Sequence, residues 1–191
     1  VTAKALIEKA IRNKKHVVTA NKALIAEHGN ALFALAKEHG VILAYEAAVA
    51  GGIPIIKLLK EGLAANSLQS VTGIINGTCN FMLTEMFRQQ ADFPEVLKQA
   101  QDEGYAEADP GFDIDGIDAA HKITICASLA FNLPLRFEQV HIEGIRDIDL
   151  ADINYAHELG YLIKHLAIAR RSANQLSLSV YPVLIKCDHP L

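Results

Sequence analysis

The chain has 191 residues, 51% of them hydrophobic and 21% charged, with a formal net charge of -4. That is room for one domain with a sizeable core, or one with an appendage. With both charge signs interspersed there is no basic face for nucleic acid or anionic lipid, and no apolar stretch approaches the roughly 20 residues that cross a bilayer.

Apolar residues at Ala3, Leu6, Ile7, Ala10 and Ile11 repeat with helical period, and Asn13-Lys14-Lys15 breaks the pattern before the β-branched run Val17-Val18-Thr19. Residues 21–39 turn helical again, and Gly40 supplies a stop before the strand-like VILAY. Strand, helix and strand in this order predict a βαβ unit with a parallel pair, whose sheet needs further strands from elsewhere. The opening on Val1, with no signal-peptide pattern, reads as a piece of a longer chain.

The character changes at Gly51-Gly52. Residues 53–64 read as a helix, 68–75 as a strand, and 78–88 and 93–104 as helices. The segment GYAEADPGFDIDG is rich in turn formers and predicts a loop. Residues 117–131 form a strongly apolar helix, followed by a strand at 140–145, a helix at 151–159 and β-rich runs at 163–170 and 176–185. The expected fold is α+β: a mixed sheet with helices on one face, preceded by the βαβ unit. The domain division falls at residues 1–50 and 51–191.

Three segments carry candidate chemistry. Residues 105–122 hold Glu107, Asp109, Asp113, Asp115, Asp118 and Lys122. An acidic, solvated loop complementing a helix dipole is the plain explanation. Asp118 and Lys122, however, are four residues apart on one face of a helix that is otherwise apolar, and burying an ion pair there is costly unless the face opens onto a cleft. A lysine ammonium in such a cleft can stabilise or protonate an alkoxide, and neighbouring carboxylates suit a substrate amine. Asn21-Lys22 follow a strand at the carboxyl end of a parallel sheet, where such sheets bind ligands, although Lys22 also suits a solvated helix start. Gly77-Thr78, between strand and helix, offer backbone N–H groups to a carboxylate or form an ordinary N-terminal cap.

Cys79, Cys126 and Cys187 are an odd set without a CxxC pair, which points to a reducing cytoplasm, and the eight histidines show no zinc spacing.

The strings HVVTANKALIAEHG, YEAAVAGGIPIIKLL, GIINGTCNFMLTEM, GYAEADPGFDIDGIDAAHK and DHPL, in this order, resemble homoserine dehydrogenase over nearly the whole chain. The joined GYAEADP and DGIDAAHK are the most specific part. The resemblance implies an oxidoreductase of threonine and methionine biosynthesis that interconverts L-homoserine and L-aspartate 4-semialdehyde with NAD(P), acting as a homodimer. It implies Lys122 as the catalytic lysine, Lys22 as a second lysine near nicotinamide and substrate with Asn21 beside it, and Asp118 as the residue orienting the reacting group. Glu107, Asp113, Tyr105, Gly77 and Thr78 become substrate-site positions. A sodium site follows at Glu46, Val49, Gly51 and Ile53, made mostly of main-chain oxygens, which are hard ligands suited to that ion.

The family's glycine-rich phosphate loop is not among these residues, so residues 1–50 read as the end of the nucleotide-binding domain and the chain by itself is expected to be inactive. The rival expectation is a non-catalytic module for dimerisation and small-ligand binding.

Overall fold

The computed structural model describes residues 2–172 and 175–191. By their internal contacts they group into two compact units that are discontinuous in sequence. The first comprises residues 2–71, 121–139, 170–172 and 175–176, and the second residues 72–120, 140–169 and 177–191.

In the first unit, α1 (Thr2–Arg12) is followed by β1 (Val17–Val18), α2 (Lys22–Glu38) and β2 (Leu43–Ala44). Helix α2 begins where the Asn21 side chain accepts a hydrogen bond from Leu24 N at 3.0 Å, and the chain turns away at Gly40 with φ +66°. β1 and β2 pair in parallel, Val17 opposite Leu43 and Val18 opposite Ala44, which is the expected βαβ unit. Leu24, Ile25, Ala26, Leu32 and Ala36 of α2 are buried, as is Ile11 of α1.

Residues 53–64 differ from the sequence expectation. Instead of one regular helix, a single turn α3 (Ile55–Lys57) widens into a π turn at Leu58–Gly62. Leu63 N bonds to Leu58 O at 2.8 Å, a five-residue spacing that ends the regular ladder.

The second unit contains α4 (Gly77–Gln89), α5 (Phe93–Asp102), α6 (Gly111–Ile114) and α8 (Leu150–Glu158). Helix α4 packs on α5, α6 and α8. Their shared core is Cys79, Met82, Leu83, Met86, Val96, Ala100, Ile114, Ile145 and Ile153, with Ile163 of the sheet against it. The sequence reads residues 105–116 as loop throughout, whereas the structure places the short α6 there. Pro110 supplies the φ of a helix start, and Asp113 N and Ile114 N both bond back to its carbonyl at 3.0 Å.

Four strands form one sheet in the order β3 (Ser70–Gly73), β5 (Tyr161–Ser172), β6 (Gln175–Lys186), β4 (His141–Ile142). β4 and β6 are parallel, whereas β5 and β6 are separated by too few residues to be anything but antiparallel. The sheet is therefore mixed, as expected. Helix α7 (Ile117–Phe131) begins in the second unit and ends in the first.

Candidate functional site

The site of the second unit is built around the start of α4. Asn76 precedes the helix, is only 5% exposed, and its Oδ1 accepts a hydrogen bond from Cys79 N at 2.8 Å. This satisfies one of the helix's unmatched N–H groups. The amide nitrogen of the same side chain then donates to two carboxylates, Asp113 Oδ1 at 2.8 Å and Asp118 Oδ2 at 2.9 Å. Thr78 adds a second tie. Its single hydroxyl proton lies between Tyr105 O at 2.8 Å and Asp113 Oδ2 at 3.2 Å. A Cβ built on Gly77 would meet nothing within 4 Å, so the first turn of α4 has open space beside it.

Asn76, Gly77, Thr78, Asp113 and Asp118, with the carbonyl of Tyr105, thus form one cluster. The Tyr105 ring is about half exposed and stacks on Phe81 at 4.3 Å between centroids. Burial first, and then the charges of Asp113, Asp118 and Asp115, push the Cys79 thiol up to about 12.

The other acidic residues of the segment do different work. Asp115 is engaged by Arg146 through one guanidinium edge, Nε donating to Oδ1 and Nη2 to Oδ2, the latter at 3.0 Å. Asp109 accepts from Gly111 N at 3.2 Å and shapes the turn into α6. Glu107 is exposed, and its contact within the segment is made by its main-chain oxygen, which accepts from Gln101 at 3.1 Å. Its side chain is not tied into the Asn76 cluster.

Both candidate lysines belong to the first unit and both are half-buried. Lys22 opens α2 directly after the Asn21 cap, and Lys122 lies on α7 one turn beyond Asp118. His121, 1% exposed, reaches from α7 to Glu27 on α2 with 3.1 Å between Nε2 and Oε1, and packs its ring on Phe137. Asn30 of α2 also exchanges two hydrogen bonds with the backbone of Leu135, both 3.0 Å.

At the candidate sodium loop, both Glu46 carboxylate oxygens accept from the start of α3, Oε1 from Ile56 N at 2.9 Å and Oε2 from Lys57 N at 3.0 Å. These bonds cap α3 and leave the carboxylate with acceptor capacity to spare, so the hard oxygen donors at this loop are the Glu46 side chain and the main-chain carbonyls. Val49 O and Gly51 O accept no backbone hydrogen bond among the described residues, whereas Ile53 O takes Ile55 N at 2.8 Å. No group of three or more His, Cys, Asp or Glu among the described residues is arranged for a metal, and no helix of the described residues is long and apolar enough to cross a membrane.

Sequence reasoning singled out the residues around Asn76 but missed its side chain. The one local signal, an Asn directly before Gly-Thr at a helix start, announces a cap and says nothing of two carboxylates 37 and 42 positions away.

Residues 54–191 match the family model described as homoserine dehydrogenase, and residues 2–46 match the model for its NAD binding domain. The homoserine dehydrogenase of Pseudomonas aeruginosa is 60% identical over 183 residues, which are 96% of this chain and 42% of that protein. That of Bacillus subtilis is 48% identical over 182 residues, again 42% of its length. The chain therefore spans about two-fifths of these curated relatives. The crystal structure of a homoserine dehydrogenase from Thiobacillus denitrificans superposes with a TM-score of 0.96 at 56% identity, covering 98% of this chain and 44% of the other. A hyperthermophilic archaeal homoserine dehydrogenase in complex with NADPH superposes at 0.84 with 29% identity, covering 100% of this chain and 55% of the other. A family match over most of the chain and these solved folds establish that it belongs to the homoserine dehydrogenase family.

Proposed function

We propose that this chain is the substrate-handling part of an NAD(P)-dependent homoserine dehydrogenase, interconverting L-homoserine and L-aspartate 4-semialdehyde. Residues 1–50 are the end of its nucleotide-binding domain and residues 51–191 its catalytic and dimerisation domain. The observation that carries the reading is the paired carboxylates of Asp113 and Asp118, held by one buried amide and followed one helical turn later by Lys122.

In this reading Asp113 and Glu107 attract the amino group of the substrate, and the open first turn of α4 at Gly77 and Thr78 takes its carboxylate. Asp118 orients the reacting end. Lys122 passes a proton to or from the substrate oxygen as alcohol and aldehyde interconvert, and Lys22 adds positive charge beside it. A bound nicotinamide supplies or accepts the hydride. Asn21 and Lys22 lie three and four residues beyond the end of β1, a strand of a parallel pair, a position that fits the nicotinamide end of such a cofactor. A sodium ion would be held by Glu46 together with the main-chain oxygens of Val49, Gly51 and Ile53.

The enzyme is a cytoplasmic homodimer in this proposal, and the free state of Cys79, Cys126 and Cys187 suits a reducing compartment. The 191 residues contain no glycine-rich phosphate loop, which favours small-ligand binding without turnover for the chain alone.

Two measurements test this. Lys122→Ala in the enzyme carrying this chain should lose most homoserine-dependent NAD(P) reduction while still binding cofactor; near-parental turnover removes Lys122 from the mechanism. The 191-residue chain titrated with homoserine and NAD(P)+ should show no reduction of the nicotinamide.

A further inference from the structure

We infer that Asn76 is a positioning residue for the acidic substrate site, holding Asp113 and Asp118 in one arrangement through its side-chain amide. The inference rests on the proposed function only in assigning Asp113 to the substrate amine and Asp118 to the reacting end of the substrate.

Three hydrogen bonds fix the amide. An asparagine side chain has two N–H donors and one acceptor oxygen. Both donors are used, on Asp113 Oδ1 at 2.8 Å and Asp118 Oδ2 at 2.9 Å, and the oxygen accepts from Cys79 N at 2.8 Å. Turning the amide over would face its oxygen to two carboxylates and its NH2 to a backbone N–H, so the orientation is forced. The group is 5% exposed and Asp118 3%, so water cannot take over these bonds cheaply.

Two carboxylates converging on one point repel each other, and a neutral double donor offsets that repulsion without neutralising either. A lysine in its place would cancel charge that a cationic substrate group needs. A carboxylate would add a third like charge. Asn76 therefore keeps the site both acidic and ordered, and the cap on α4 ties that geometry to Gly77 and Thr78 in the next two positions.

Capping and bridging can be separated, because Ser and Asp also cap helices. Asn76→Ser keeps an acceptor for Cys79 N and replaces the two amide N–H donors by a single O–H on a shorter side chain, which cannot bridge both carboxylates. Asn76→Asp keeps the acceptor and replaces the donors by a charge. In the homoserine dehydrogenase carrying this chain, homoserine oxidation, its pH profile and the thermal melt are measured for the parent and both variants.

Asn76→Ser should melt within a few degrees of the parent and lose about 10- to 100-fold in kcat/KM, chiefly through a raised KM for homoserine. Asn76→Asp should lose more at pH 8 than at pH 6, since the introduced carboxyl, once protonated, donates one hydrogen bond again. Parental KM in Asn76→Ser overturns the inference. So does collapse of the fold in both variants, which would make Asn76 a purely structural residue. A parent that does not oxidise homoserine refutes the proposed function instead, and the two failures are told apart by that control.

Discussion

His121 on α7 meets Glu27 on α2 with 3.1 Å between Nε2 and Oε1, joining the helix that carries Lys122 to the helix that opens with Lys22. The histidine side chain is 2% exposed and the glutamate 44%, so the contact lies at the edge of the first unit's core. Removing the acceptor from a buried ring nitrogen costs about 1–3 kcal/mol. Glu27→Ala should lower the melting temperature by roughly 2–10 °C, and Glu27→Gln, which keeps an acceptor oxygen, by less. Indistinguishable melts for parent and Glu27→Ala would remove the contact from the stability of the unit.

Gly144 touches the acidic segment from the other side. A Cβ there would lie 2.3 Å from Ile114 O and 2.7 Å from Asp115 Cα, both backbone atoms, beside the 2.8 Å bond from Ile145 N to Ile114 O. Gly144→Ala should cost about 1–3 kcal/mol or more by denaturant titration. Gly52→Ala, where nothing lies within 4 Å, is the control and should change little.

The Asn21 cap holds the start of α2 and with it Lys22. Asn21→Ala should lose about 1 kcal/mol, while Asn21→Ser, which still caps, should lose only part of that. Equal losses would show that something other than the cap matters at this position.

Burial lowers the pKa of His165 below 6.5, against the smaller raising effects of its bond to Glu143 O, 2.9 Å away, and of the Glu143 charge. A depressed histidine is neutral in the folded state, so the unfolded chain binds more protons as pH falls below 6.5. This contribution is present above 6.5 and is lost as pH falls through the lower folded value. Unfolding free energies measured between pH 7.5 and 5 should decline, and His165→Asn should flatten that decline. An unchanged slope in the variant would assign the pH dependence to other groups.

Thiol reactivity should separate the cysteines. Cys187 is exposed, whereas Cys79 and Cys126 are buried and burial pushes their thiols up to about 12 and about 11. One fast thiol per native chain is expected with a disulfide reagent at pH 8, and three after unfolding. A second fast thiol in the native protein would mean that the core opens.

Local pattern made much of this protein legible in its sequence. Helical period in residues 117–131 and β-branched runs at residues 17–19 report side-chain environments that repeat along the chain, so α7 and the βαβ pair could be read without partners. The placement of Asp118 and Lys122 on one helical face follows from spacing alone. The π turn after Lys57 and the single turn α6 could not be read, because each depends on a few backbone bonds rather than on a repeating face.

What the tertiary structure decided is which acidic groups work together. Asp109, Asp113, Asp115 and Asp118 look alike in sequence, yet one shapes a turn, one grips Arg146, and two share the amide of Asn76. Glu46, a cation ligand by resemblance, also caps the start of α3 with both carboxylate oxygens. These are bonds between side chains and groups that meet only when separate elements pack, and no local period encodes them. Local pattern set the long helices and the parallel strand pair and the chemistry they could carry; packing chose the partners, because a buried donor or acceptor must find its match wherever the fold brings one.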